Sequence, residues 1–245
     1  MFNAGIFKRG FESVEQAQKE RQMQSSGRDT IYDFFLKDGQ EAPIRFLNDE
    51  PISFLGHTCK VGKLPKIFVC TDDAECLGCK QPDSFDPSKP NKASLKVAFL
   101  VLDGTVIEKD EMVDGKPTGK KVQYTDQIKV MVRGISDAAG IQKAKEMYGL
   151  LDTPYVCSKS GKKNPYTFFP ALKGLKGKDP EFWSPEPLSD EAKAKLIEKL
   201  PEKYREIAKG EDGFAGVLME LFKPFGYGMD NNKVEIEEPT SLTRY

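Results

Sequence analysis

One histidine in 245 residues leaves little material for catalysis. Acid–base work by imidazole and Ser-His-Asp relays both need that side chain, and His57 sits among cysteines that suggest another use for it. Neither a GxGxxG fingerprint nor a P-loop occurs, so the glycine-rich phosphate cradles of nucleotide enzymes are missing. No apolar run approaches the roughly eighteen residues of a membrane-spanning helix, and the opening MFNAGIFKRGFESVEQ lacks the long apolar stretch of a signal peptide. The expected location is a reducing cytosol, where cysteines favour metal over disulfides. No internal repeat with a period of about 20–50 residues is visible. Adjacent carboxylates such as Asp72–Asp73 and Asp110–Glu111 read more simply as turn residues than as a two-metal site, and the chain is not expected to be an enzyme.

The histidine and four of the five cysteines fall in one stretch, His57 to Cys79, HTCKVGKLPKIFVCTDDAECLGC. Zinc takes four N or S donors in a tetrahedron, and structural sites fill all four positions from protein. Cys76-Leu77-Gly78-Cys79 has the spacing of a tight knuckle that wraps two sulfurs around one ion. Val61-Gly62-Lys63-Leu64-Pro65 is a turn signal between β-rich runs, which sets His57 and Cys70 near each other across a hairpin. The expected structural Zn²⁺ ligands are His57, Cys70, Cys76 and Cys79. Cys59 points the same way along the strand as His57, so an all-cysteine site with Cys59 in place of His57 stays open on spacing alone.

At 38% hydrophobic and 10% aromatic the chain can bury a sizeable core. Residues 1–29 form a polar arm with a helix-forming run, VEQAQKERQMQ, that has little apolar face. From Ile31 the pattern turns to short strands broken by turn residues. Lys96 to Leu102 is the most hydrophobic run and reads as a central strand buried on both faces. Asp114 to Gly119 marks a second hairpin. In residues 127–133 Ile128, Val130 and Val132 alternate with Lys129, Met131 and Arg133, predicting one core face and one basic face. Asp137 to Tyr148 is a helix, and strands follow at 155–159 and 166–169. After a basic linker, helices follow: one begins at a Ser189 N-cap, one near Pro201, one at GFAGVLMELF. Trp183, the single tryptophan, is expected to anchor this tail, and Cys157 to pack in the core.

This pattern describes a mainly β protein with helices (α+β). Its core at residues 30–178 would be a five-stranded OB-type β-barrel with an inserted zinc hairpin and knuckle at 52–94, followed by an acidic helical region at 179–245. Residues 56–178 carry 21 Lys+Arg against 14 Asp+Glu, a balance of +7, while residues 179–245 carry 9 against 15, a balance of −6. A basic core suggests a polyanion partner. Single-stranded nucleic acid is held by a basic groove and by rings on which bases stack. The candidate contacts are Lys96, Lys120, Lys121, Tyr124, Lys129 and Arg133, then Tyr155, Lys159, Lys162, Lys163, Tyr166 and Phe168. Of Phe168 and Phe169, one ring must face inward.

The block Ala42–Phe54 (APIRFLNDEPISF), the order His57, Cys70, Cys76-x2-Cys79, the strand Ala98–Asp103 (AFLVLD) and the segment from Lys120 to Tyr148 come in one order. That order resembles the single-stranded DNA-binding, helix-destabilising proteins of the T-even phages and their relatives in other tailed phages. The resemblance covers roughly residues 30–175. It implies an OB-fold core braced by zinc on His57, Cys70, Cys76 and Cys79. It implies sequence-independent, cooperative coating of single-stranded DNA in replication, recombination and repair, in the cytoplasm of an infected bacterium. It further implies self-association through a basic N-terminal arm, to which Phe7-Lys8-Arg9 is similar, and recruitment of phage replication proteins by the acidic C-terminal region. Such an acidic end can also compete with DNA for a basic groove. The rival expectations are a zinc-stabilised OB-type scaffold that binds proteins, and a metal-dependent nuclease, for which a filled ligand set offers no open position.

Overall fold

One strand, β5 (Ser94–Asp103), organises the protein. Its apolar run supplies two buried faces: Ala98, Leu100 and Leu102 on one, Val97, Phe99 and Val101 on the other. The computed structural model describes residues 31–222 apart from 62–63, 71–75, 81, 84–85, 114–115 and 162–164. The expected N-terminal arm and the last stretch of the acidic region, from residue 223, lie outside the described residues.

Along one edge β5 pairs with β8 (Gln127–Gly134) over its length, from Lys96↔Gly134 to Asp103↔Gln127. Its other edge is shared. The first half takes β3 (Ile52–Val61) and the second half takes β2 (Glu41–Phe46). Asn48 bridges the change of partner: its carboxamide oxygen accepts the Leu100 amide at 2.7 Å and its nitrogen donates to Glu50 O at 2.6 Å. A side-chain amide thus replaces the ladder where no strand lies opposite. Beyond β2 come β9 (Tyr155–Ser158) and β10 (Thr167–Pro170), and a two-residue β1 (Tyr32–Asp33) runs parallel to β8 at its outer edge. The path is β1-β8-β5-β2-β9-β10.

The protein is mixed α+β and mostly sheet, as the pattern predicts, but the described strands do not close into a barrel. β1 takes the outer edge of β8 at Lys129 and Val130. Farther along, β8 meets the approach to β10 through side chains: the Arg133 guanidinium lies 3.9 Å from the Tyr166 ring centre. The helix α2 (Ile135–Tyr148) follows β8 and buries Ile141 and Ala144 in the enclosed core with Phe46, Phe99, Met131 and Tyr155.

The opposite face of β5 and β8 is covered by the C-terminal helices α3 (Pro180–Trp183), α4 (Asp190–Lys199), α5 (Glu202–Lys209) and α6 (Gly213–Phe222). Ala192, Leu196, Leu200, Tyr204, Val217 and Leu218 share one core with Ala98, Leu100, Leu102, Ile128 and Val130. Ser189 caps α4 by accepting the Ala192 amide at 3.1 Å, as expected. Trp183 anchors the layer: it is buried, donates from Nε1 to Asp126 at 2.9 Å, and lies so close to Gly104 that a Cβ there would be 2.5 Å from its ring. Arg45, fully buried in β2, donates to the carbonyls of Phe182 (3.1 Å), Ser184 (2.8 Å), Leu151 (2.8 Å) and Glu186. Burial lowers its guanidinium to about 10, against the pull of Asp152.

The helices from Pro180 to Phe222 share the core of the sheet, because an all-apolar β5 needs a cover on both faces and these helices supply one. One expectation changes here: the alternation in β8 does not leave a basic face, since Met131 is fully buried and Lys129 pairs with Asp103 at 2.6 Å with only 14% of its side chain exposed.

Candidate metal centre and nucleic-acid interface

The metal-ligand residues meet where the hairpin of β3 and β4 (Leu64–Val69) leaves the sheet. His57 pairs across the hairpin with Phe68, and the Cys70 amide donates to Leu55 O at 2.8 Å. Cys70 is therefore the diagonal neighbour of His57 on one face. The short helix α1 (Leu77–Lys80) folds Cys76 and Cys79 back onto them. Gly78 is required by this approach, since a Cβ at that position would lie 2.3 Å from His57 Cδ2.

The donor atoms of His57, Cys70, Cys76 and Cys79 lie within 4.8 Å of one another. Cys70 Sγ is 3.7 Å from Cys79 Sγ and 3.8 Å from Cys76 Sγ, while His57 Nε2 is 3.4 Å from Cys79 Sγ and 3.5 Å from Cys76 Sγ. A tetrahedral zinc with bonds of ~2.3 Å to sulfur and ~2.0–2.1 Å to nitrogen has S···S edges of ~3.8 Å and S···N edges of ~3.5 Å. The four edges fit an ion-centred tetrahedron and exclude disulfides, whose sulfurs are ~2.05 Å apart. Without a cation the thiols oppose one another's ionisation: hydrogen bonds that the Cys79 thiol donates to Cys76 and Cys70, with smaller contributions from burial and their charges, push Cys79 up to about 12. The four residues can hold one metal ion such as zinc. His57 Nδ1 is buried with no hydrogen-bond partner among the described residues. The side chain of the alternative ligand, Cys59, lies outside the described residues. Cys157 is apart from the cluster, fully buried, and its thiol is pushed up to about 12 by burial.

The expected nucleic-acid contacts separate into three groups. Lys120, Lys121 and Tyr124 lie on β7 (Lys116–Tyr124), which with β6 (Ile107–Val113) forms its own two-stranded sheet. Tyr124 is exposed, with Lys109 Nζ 5.8 Å from its ring, but Lys121 is paired with Asp110 at 2.7 Å. The second group is internal. Tyr155 and Tyr166 are buried; the Tyr155 hydroxyl donates to Gly149 O at 2.6 Å, and that of Tyr166 accepts the Leu36 amide at 2.8 Å. Neither ring can stack on a base, because both are buried in the enclosed core, and Lys129 is held by Asp103. Phe168 also turns inward, 5.9 Å from the Phe46 ring, leaving Phe169 outward and 57% exposed.

The third group centres on the Tyr166 ring. Arg133 donates to Phe34 O at 2.9 Å and stacks on Tyr166, and Lys159 Nζ lies 5.4 Å from the same ring. Lys96 is half-buried at the start of β5, which lowers its ammonium against the pull of Asp137. Lys162 and Lys163 lie outside the described residues. Leu55 and Leu95 were not singled out by pattern, since an exposed apolar residue in a strand looks like a core one. Arg45 carries a legible signal, a lone arginine between Ile44 and Phe46.

No protein-family model matches the chain, and no curated protein matches its sequence. No helix among the described residues is long and apolar enough to cross a membrane.

Proposed function

We propose that this protein binds single-stranded DNA without sequence preference, as an OB-type module braced by a structural zinc ion. The observation that carries this reading is the strand order β8-β5-β2-β9-β10 with α2 between β8 and β9. An OB-fold is a five-stranded, partly open Greek-key barrel whose second and third strands and first and last strand-connecting loops contact oligonucleotides. With β2 as the first strand, the second and third are β5 and β8, bearing Lys96 and Arg133. The first loop then holds the metal hairpin, and the last, residues 159–166, holds Lys159, Lys162 and Lys163. The helical layer covers one face of β5 and β8, which leaves DNA the side where Arg133 and Lys159 flank Tyr166. The resemblance to T-even phage helix-destabilising proteins supports the same role, in phage replication, recombination and repair within the host cytoplasm.

The zinc is structural in this reading, because all four donors are protein groups and none of the positions is open to substrate. Metal analysis of purified protein should give one zinc per chain. Titration with oligo-dT at several salt concentrations tests the function. If about five phosphates are neutralised, log K falls against log salt with a slope of about −3.5, and binding that is absent or indifferent to salt refutes the proposal. A second reading, a zinc-stabilised scaffold for protein partners, is favoured by the neutralisation of Lys121 and Lys129 by Asp110 and Asp103. It predicts that Lys159→Ala and Lys96→Ala leave function intact.

A further inference from the structure

Between the metal centre and Arg133 lies an apolar pair that neither the core nor the ligand set uses. Leu55 of β3 and Leu95 of β5 are direct cross-strand partners, and each is 39% exposed. One step along the same face of β5, Val97 is buried in the enclosed core. One step along the same face of β3, His57 is buried in the metal centre. The two leucines therefore interrupt a buried row with open apolar surface. Arg133 is the cross-strand partner of Val97, so a fixed positive charge borders the pair, with Lys159 beyond it across the Tyr166 ring.

We propose that Leu55 and Leu95 are the base-contacting floor of the DNA site, an aliphatic platform in the place where aromatic stacking was expected. The inference rests on the single-stranded DNA reading above and specifies its mode of contact. Where a sequence-independent site touches bases, it touches their faces, which all four share, rather than their edges. Of the rings expected for that work, Tyr155 and Tyr166 are 0% and 5% exposed with their hydroxyls bonded inside the protein, Phe168 packs on Phe46, and the exposed Tyr124 belongs to the separate β6–β7 sheet. Cross-strand side chains about 5 Å apart make a continuous surface on one face, and covering it with any base removes apolar area from water. Arg133 and Lys159 at its border suit the phosphates between such bases, and that charge favours a nucleic acid over an apolar protein segment.

The test compares the full-length protein with Leu55→Ala/Leu95→Ala and with Leu95→Phe in oligo-dT titrations at several salt concentrations, with metal content and thermal melting measured in parallel. The alanine pair is expected to bind about tenfold more weakly, the equivalent of roughly one apolar contact, with an unchanged salt slope, because no phosphate contact is lost. Leu95→Phe is expected to bind as tightly as the parent or more tightly, since a ring can stack. Alanine variants that retain metal and bind like the parent overturn the platform while leaving the single-stranded DNA reading intact. If the alanine pair loses metal, Leu95→Phe decides: weaker binding by a metal-loaded, parent-like folded protein overturns it. Failure of the parent itself to bind oligo-dT removes the DNA reading and the platform with it.

Discussion

Two hairpins leave the sheet, and they are held in different ways. The β3–β4 hairpin starts as part of the main sheet, with Ile52 to Gly56 paired to β5, and then continues on its own to the turn. At the point of departure four donors converge within 4.8 Å. The β6–β7 hairpin belongs to no larger sheet and has a register shift between Asp110 and Met112. Its described side-chain contacts are polar and exposed: Lys121 with Asp110, Thr118 with Glu111, Gln123 with Glu108. An isolated two-stranded hairpin is marginal in water. One of these hairpins has, in place of a hydrophobic core, four donors able to hold a metal ion, the other weak surface pairs. The same local geometry thus has two very different claims on stability.

The largest effect should come from Cys76→Ser. It breaks the ligand set and should release the metal and lower Tm by about 10 °C, which corresponds to roughly 3–5 kcal/mol in a chain of this size. A variant that held its metal and melted like the parent would end the account of the first hairpin. Next is Gly78→Ala, whose Cβ would collide with the His57 ring. Metal affinity should fall by about 10- to 100-fold, the range for disturbed ligand orientation, read by competition with a chromophoric chelator; parent-like affinity would mean the knuckle has slack.

Tyr155→Phe probes the enclosed core of the sheet and should cost about 1 kcal/mol near neutral pH through the lost bond to Gly149 O. Burial, with smaller effects from Asp152 and Tyr148, pushes the Tyr155 phenol up to about 12, above its ordinary 10.0. A raised acid contributes stability that is fully present below pH 10 and lost as pH rises towards 12, because the unfolded chain ionises first. The difference in stability between parent and variant should therefore shrink across that window; a constant difference would contradict the burial. The smallest effect is expected for Asp110→Asn on the second hairpin, within about 0.5 kcal/mol, since both Asp110 and Lys121 are exposed. A loss comparable to that of Cys76→Ser would erase the contrast between the hairpins.

Some of this was readable in the chain and some was not, and the division follows the range of the interactions. The cluster of His57, Cys70, Cys76 and Cys79 was readable because donor chemistry is local: four suitable atoms within 23 residues, with a glycine at the tight place. The central position of β5 was readable because a run apolar at both parities has no exposed side. The N-cap at Ser189 and the tryptophan anchor followed from single residues of distinctive chemistry. The fate of β8 was not readable. Its alternation gives each side chain a face, but Met131 is covered by α2 and β2, and Lys129 is neutralised by Asp103, 26 residues away.

The tyrosines make the same point. A pattern of rings and lysines is the same for a stacking surface and for an enclosed core, and only the return of β9, β10 and α2 over Phe46 and Met131 places Tyr155 and Tyr166 inside. The C-terminal helices were legible as helices but not as one wall of the core, because that depends on Arg45 reaching carbonyls more than a hundred residues away. Local chemistry, period and capping set what each segment is. What covers each face depends on contacts between segments far apart in the chain, whose closure is decided by total burial and not by any one stretch.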